Sequence, residues 1–290
     1  MHEPCVRICF KSPQVVVLNI GVTMAVITQT LPMNLSPELD FDQNSASAFG
    51  DSLASHYVQA TPFPHIVIEN FLHEDLIASI CSNFPVEPTN NEMLYERGYK
   101  GQRKRQISPN ECSPFLKTIF NAFNSAPMLQ FLEKLTGIEG LIPDPYFTGG
   151  GLHETKSGGF LGVHSDFRLN KRLNVERRLN IIIYLNKDWK EEYGGNLELW
   201  DIQMKTCLKK ILPVYNRCVI FNTDKDSNHG HPEPLTTPEH ITRRSIALYY
   251  YTASTLAIDP TQRNKTHYKP RPKDRFSLKY YMNKIFKKKK

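Results

Sequence analysis

Gly159–Asp166 reads GFLGVHSD: a glycine-rich start, a short apolar segment, then His164 and Asp166 two residues apart. On an extended backbone, side chains at i and i+2 point to the same face. A histidine and a carboxylate projecting together supply two of the three ligands of an open iron(II) site. The third has to come from elsewhere in the chain. Ser227–Pro232 (SNHGHP) offers His229 and His231. These are also two apart, so alternation does not choose between them; His229 is taken first and His231 second. His240 lies in the proline-rich loop Pro234–Thr242, a poor place for a rigid ligand. On this reading 159–166, 227–232 and the strand that follows Arg243-Arg244-Ser245 line one pocket.

The surroundings of the pair decide the fold. From Asp144 onward, short apolar or alternating segments are separated by turn signals such as Gly149-Gly150-Gly151, Gly158-Gly159 and Gly194-Gly195. Strands are predicted at Tyr146–Glu154, Gly159–His164, Leu179–Leu185, Asn196–Trp200, Lys209–Leu212, Arg217–Asn222, Gly230-His231 and Ser245–Thr252. Many short strands at close spacing argue for a sandwich or barrel, and a jelly roll fits because its paired sheets enclose a pocket. The expected fold class is mainly β with flanking helices around such a core.

Upstream, Pro32–Thr61 is rich in Asn, Ser, Pro and Asp without a sustained period and reads as a linker or irregular arm. His65–Glu69 alternates as a strand, and a helix follows from His73 to Phe84 with acidic residues in its first turn. Met93–Gln106 (MLYERGYKGQRKRQ) reads as a surface loop, either a lid that contacts substrate or a solvated segment. Ser113–Leu135 has apolar residues at helical spacing, divided by Pro127 into two helices. The expected organisation is thus an irregular arm over 1–62, supporting strand and helices over 63–143, the core over 144–254, and a basic tail over 255–290.

The chain has 290 residues and is 40% hydrophobic, enough for a sizeable core. Its net charge is +7, but Arg263–Lys290 holds twelve Lys/Arg against Asp274 alone, which leaves the rest mildly acidic. Such a tail can touch nucleic acid, ribosomes or an anionic membrane; the simpler reading is a solvated tail. A last helix is predicted over Phe276–Phe286. Six scattered cysteines without a CxxC pair read as reduced thiols of a cytoplasmic protein. The apolar run Val15–Ile27 is too short to span a bilayer as a helix. Asn19 and Thr23 interrupt it as a signal-peptide core, so the N-terminus is expected to be disordered, or to precede a natural start at Met24 or Met33, with secretion through this run as the lesser alternative.

Arg243 and Ser245 share one face of their strand. A guanidinium beside a hydroxyl is a good anchor for a carboxylate. Tyr184, at the end of LNIIIY, can offer a phenol to the same group; otherwise it is a core tyrosine. Arg244 alternates to the other face.

Six stretches together resemble the iron(II)- and 2-oxoglutarate-dependent dioxygenases, in their prolyl-4-hydroxylase-like branch. They are Gly159–Phe167, Arg178–Asn186 (RLNIIIYLN), Gly194–Asp201 (GGNLELWD), Val219–Asn222, Ser227–Pro232 and Arg243–Tyr251 (RRSIALYYY). The resemblance covers roughly Tyr146–Thr252, and Phe63–Phe84 is similar to the strand and helix that precede the core in relatives. It implies a double-stranded β-helix core, Fe(2+) held by His164, Asp166 and His229, and Arg243 gripping the far carboxylate of 2-oxoglutarate. It also implies help from Tyr184, and a place for His153 where relatives carry a Tyr or His near the co-substrate. The implied chemistry uses O2 to convert 2-oxoglutarate to succinate and CO2 while a C–H bond is hydroxylated, commonly with L-ascorbate in support.

The expected substrate is a prolyl residue of a protein or peptide. The same chemistry on a small molecule, such as a free amino acid or a sugar-lipid intermediate, is the alternative, and a non-catalytic jelly-roll binding module ranks behind both. A nucleic-acid substrate is disfavoured: the demethylase relatives carry a second arginine where this chain has Tyr249. No transmembrane segment is expected. Substrate identity and oligomeric state are not legible from loops of one sequence.

Overall fold

In the run Leu179–Tyr184, alternate side chains serve two different cores. Leu179, Ile181 and Ile183 pack with Leu53, Ile77, Phe120, Phe131 and Leu135 from the helices. Ile182 and Tyr184 face the other way and pack with Phe63, Leu197, Leu199, Val219 and Phe221. A strand buried on both faces reads as a continuous apolar run, which explains why this stretch lacks alternation.

The computed structural model describes residues 26–33, 39, 41–89, 93–254 and 265–276. In chain order the elements are β1 (Ile27–Thr28), α1 (Gln43–Val58), β2 (His65–Glu69), α2 (Glu74–Ser82), β3 (Met93–Tyr95), β4 (Gly101–Ile107), α3 (Pro114–Phe123), α4 (Ala126–Thr136) and β5 (Ile142–Pro143). Then come β6 (Gly151–Ser165), β7 (Leu169–Asn170), β8 (Val175–Tyr184), β9 (Leu197–Trp200), β10 (Cys207–Ile211), β11 (Cys218–Asn222), β12 (Asn228–His231), β13 (Arg243–Ala253) and β14 (His267–Tyr268). The strands form one curled sheet in the order β1-β2-β11-β8-β13-β6-β12-β9-β10, with the short strands attached at its margins. The helices cover its outer face. This is a mainly β fold with flanking helices and a double-stranded β-helix core, as expected from the sequence.

The predicted strands Tyr146–Glu154 and Gly159–His164 turn out to be parts of one strand, β6. Residues 146–150 stay outside it because Asp144 accepts backbone hydrogen bonds from Tyr146 (2.9 Å) and Thr148 (2.7 Å), which fixes a turn there. β6 pairs with β13 over Gly151–Thr155 and with β12 from Leu161 to His164. Between these halves the ladder to β4 is irregular: Lys104 lies opposite Thr155, whereas Gln102 lies opposite Phe160. Gly158 has φ +72°, and a Cβ on Gly159 would lie 2.6 Å from Thr155 Cγ2 and 2.9 Å from the Gln102 carbonyl oxygen. The two glycines let one strand bend and change neighbours.

Four other expectations need correction. The arm expected to be irregular contains a four-turn helix, α1. Asp42 caps it by accepting from the Ser45 backbone N–H at 2.8 Å, and Ala46, Gly50, Leu53 and Tyr57 form its buried face. Few large apolar residues mark this face because it packs closely on α4. A Cβ on Gly50 would sit 2.4 Å from the Phe131 carbonyl oxygen. Ile27–Leu31, ahead of Met33, also belong to the body: β1 pairs with β2, and the Leu31 N–H donates to the Phe71 carbonyl at 2.7 Å. Residues 1–25, including Met24 and most of the apolar run, lie outside the described residues.

Met93–Gln106 is a hairpin rather than a loop; its charged residues hid a strand because they have buried partners, such as Glu154 for Arg105 at 2.6 Å. Part of the presumed solvated tail is docked as well. β14 pairs with the end of β6, and the buried Arg271 is tied to Glu233 and Asp274. The predicted helix Phe276–Phe286 falls outside the described residues apart from Phe276. Pro127 opens α4, in whose first turn a missing N–H costs nothing, and Gly137 ends it at φ +70°.

Candidate active site

The bend in β6 brings its two ends to one cavity inside the curl. His164 of β6 lies opposite His229 of β12, and Asp166 follows two residues after His164. Their ligand atoms all lie within 4.8 Å of one another. His164 Nε2 is 3.7 Å from Asp166 Oδ1, and His229 Nε2 is 3.5 Å from Asp166 Oδ2. Each imidazole is oriented from behind. His164 Nδ1 donates to the Gly162 carbonyl at 2.8 Å, and His229 Nδ1 donates to the Ser227 carbonyl at 2.9 Å. That arrangement leaves both Nε2 lone pairs facing inward, as metal ligation requires.

The protonation states fit the same use. Burial, reinforced by His229, pushes the His164 pKa down to about 4, and burial lowers His229 too. Burial alone would raise Asp166. The Arg177 guanidinium and the two imidazoles outweigh it and hold the carboxyl down to about 2. The site therefore presents two neutral imidazoles and one carboxylate near neutral pH. These three groups can hold a divalent iron on one face and leave its remaining positions to other ligands.

Asp166 is itself held. Asn180 Nδ2 donates to Asp166 Oδ2 at 2.9 Å, and Arg177 Nη2 lies 3.1 Å from the same oxygen. Arg177 is fully buried and stacks on the Tyr249 ring at 3.4 Å. Neither Arg177 nor Asn180 was expected from the sequence. Asn180 left a signal, a lone amide in an apolar strand; Arg177 left none. Tyr268 of β14 packs its ring 5.1 Å from that of His164, bringing a residue from the tail region onto the triad end of the cavity.

Arg243 and Ser245 of β13 face the same cavity from a common side of the strand, with Tyr184 opposite Ser245 on β8. Arg243 Nε donates to the Gly195 carbonyl at 2.8 Å, and Nη2 donates to the Tyr184 hydroxyl at 3.3 Å. Gly195 has φ +70°, and a Cβ there would come within 3.0 Å of Arg243 Cδ, so glycine makes room for the arginine. Burial lowers the Arg243 pKa, yet the group remains a cation. Arg244 points outward to Glu154 at 2.9 Å.

His153 also lines the cavity, with Nε2 3.0 Å from the Gly149 carbonyl and Nδ1 3.1 Å from Lys104 Nζ. His231 is the second histidine of the SNHGHP segment. It is buried and faces the same cavity, with neither ring nitrogen in a hydrogen bond. His240 is exposed in its loop. The cavity continues outward into a groove flanked by Tyr95, Arg97, Lys100, Lys265 and Tyr268.

Three comparisons bear on this arrangement. Residues 150–251 match the sequence profile of the 2OG-Fe(II) oxygenase superfamily. The chain is 30% identical over 210 residues to a mouse protein named prolyl 3-hydroxylase OGFOD1, a match that takes in 69% of this chain and 34% of the mouse protein. The chain thus spans about a third of the length of that relative. Among solved structures, it is similar to a prolyl hydroxylase from Trichoplax adhaerens in complex with a peptide fragment of the hypoxia inducible factor oxygen degradation domain. That likeness has a TM-score of 0.50 at 15% identity and covers 72% of this chain and 91% of the other; it speaks to the fold.

Proposed function

We propose that this chain, whose residues 150–251 match the 2OG-Fe(II) oxygenase profile, is an iron(II)- and 2-oxoglutarate-dependent dioxygenase that hydroxylates a prolyl residue of a protein or peptide. One observation carries the reading: a His-Asp-His triad and a buried arginine line a single cavity. In this reading His164, Asp166 and His229 hold Fe(2+). Arg243 anchors the far carboxylate of 2-oxoglutarate, with the Tyr184 and Ser245 hydroxyls beside it. Bound iron, 2-oxoglutarate and O2 supply the oxidising power, releasing succinate and CO2 as a C–H bond is hydroxylated.

The chain's own groups supply orientation and electrostatics. The Gly162 and Ser227 carbonyls fix the two imidazoles, and Asn180 and Arg177 fix the carboxylate. Arg243 provides a charge that its buried surroundings leave available to an anion. The apolar walls, including Ile182 and Leu197, keep water from the reacting centre.

A prolyl substrate is supported by the name of the mouse relative and by the open groove beside the cavity, which suits an extended chain. L-Ascorbate as supporting reductant and a cytoplasmic location belong to the same proposal. No helix among the described residues is long and apolar enough to cross a membrane.

The test is conversion of 2-oxoglutarate to succinate by purified protein with Fe(II) and O2, alongside His164→Ala and Arg243→Ala, followed by mass spectrometry of proline-containing peptides. Turnover lost in both variants, with a gain of one oxygen on proline, is the expected result. Failure of the wild-type protein to bind either iron or 2-oxoglutarate sinks the proposal.

A further inference from the structure

Two cations are buried in the cavity, and the described residues supply no carboxylate to either. Arg243 donates to the Gly195 carbonyl and the Tyr184 hydroxyl. Lys104 is equally buried; its Nζ contacts His153 Nδ1 at 3.1 Å and lies 4.7 Å from the centre of the Tyr95 ring. Burial, then the nearby Arg243 charge, pulls the Lys104 pKa down to about 7. A buried charge without a counter-charge is costly, and two of like sign facing one space are costlier. Such an arrangement persists where an anion completes it.

Lys104 is placed there by backbone geometry. On β6, His153 faces the cavity and Glu154 faces outward. On β4, Gln106 lies opposite His153, Arg105 opposite Glu154 and Lys104 opposite Thr155. Lys104 therefore points inward and Arg105 outward. Just before it, Arg103 sits at φ +52°, where the ladder becomes irregular. Beside this cation stands His231, nine-tenths buried or more, with both ring nitrogens unpartnered. An orphaned imidazole aimed into a cavity, next to an unmatched ammonium, marks the place of a polar ligand.

We propose that Lys104 is a second co-substrate-binding residue, its ammonium gripping the same 2-oxoglutarate dianion that Arg243 anchors, with His231 as an adjacent donor. The inference rests on the reading of the cavity given under Proposed function. The chemistry of the lining favours it: the co-substrate is a dianion, and Lys104 and Arg243 are the lysine and arginine that line the cavity holding the triad. Lys104 is distinguished from the groove cations Arg97, Lys100 and Lys265 by lining the cavity that contains both the triad and Arg243.

Anaerobic calorimetry decides it, titrating 2-oxoglutarate into the Mn(II)-loaded protein. In Lys104→Met, the Kd for 2-oxoglutarate rises by roughly tenfold or more, the loss expected of one charge-assisted hydrogen bond. The Kd for Mn(II), measured first, stays at the wild-type value and shows that the triad is intact. If the methionine variant does not hold Mn(II), Lys104→Gln is measured in its place with the same expectation. Wild-type affinity for 2-oxoglutarate in a Mn(II)-competent Lys104 variant overturns the inference and leaves the dioxygenase reading standing. A wild-type protein that binds Mn(II) but no 2-oxoglutarate overturns both.

Discussion

His229 stands directly across from His164 on the neighbouring antiparallel strand, with the two rings 4.6 Å apart. Because His231 faces the same cavity, the two histidines of the NHGH segment can be separated by experiment. His229→Ala should lose stoichiometric Fe(II) binding, measured by metal analysis after anaerobic loading. His231→Leu should retain it. Metal retained in the first variant and lost in the second would reverse the ligand assignment.

Arg177 reaches the proposed metal site through Asp166. Arg177→Met leaves a buried carboxylate short of its cation, a change that typically costs about 3–5 kcal/mol. A bound divalent ion supplies the missing positive charge. Thermal unfolding should therefore show a large drop in Tm for the metal-free variant, and a larger Mn(II)-induced rise than in the wild type. Equal Mn(II)-induced rises in both proteins would argue against this role.

For Arg243, removal of the anchor and change of its geometry differ. Arg243→Ala should abolish 2-oxoglutarate binding at millimolar concentrations while iron binding persists. Arg243→Lys keeps a charge but loses the fork, and should weaken binding by roughly one to two orders of magnitude. Titration calorimetry on Mn(II)-loaded protein gives both numbers.

Acid should destabilise the metal-free protein in a defined window. His164 and His65 both have folded-state pKa values near 4, set chiefly by burial, against an unfolded value of 6.5. The unfolded chain therefore binds more protons between these limits, so stability present above pH 6.5 falls as pH drops toward 4. The shift corresponds to at most about 3 kcal/mol for each histidine. Urea midpoints at pH 7.5, 6, 5 and 4 test this, and a flat profile would contradict it. Saturating Mn(II) should blunt the part due to His164, because metal binding opposes its protonation.

The α1–α4 contact has a simple probe in Gly50. A side chain there must displace the Phe131 backbone or the helix itself. Gly50→Val should lower stability by about 1–3 kcal/mol in chemical denaturation, although the residue is remote from the cavity. A neutral result would mean that α1 is not held against α4 as described.

The proposed metal ligands were legible as a cluster because their chemistry fixes residue type and strand periodicity fixes spacing. The pair His164 and Asp166 announced itself, whereas alternation could not separate His229 from His231. Tyr184 and Arg243 were legible as a pair on neighbouring strands. Lys104 was not, because in GYKGQRKRQ nothing distinguishes it from Arg103 or Arg105 until the strand irregularity assigns each a side. Arg177 was hidden for a similar reason: a buried charge is recognised by its partner, and Asp166 had already been given to the metal. α1 was missed because small residues, which allow close helix packing, resemble the composition of a linker.

The bend at Gly158 and Gly159 also sets a rule of parity. His153 and His164 are an odd number of positions apart, so on an uninterrupted strand they would point to opposite faces. The irregular stretch at 156–159 shifts the phase, and both imidazoles reach the same space. Loss or gain of a single residue there would leave every functional side chain in the sequence and turn one end of the strand inside out. The length of this short segment is thus as much a part of the site as the identity of its ligands.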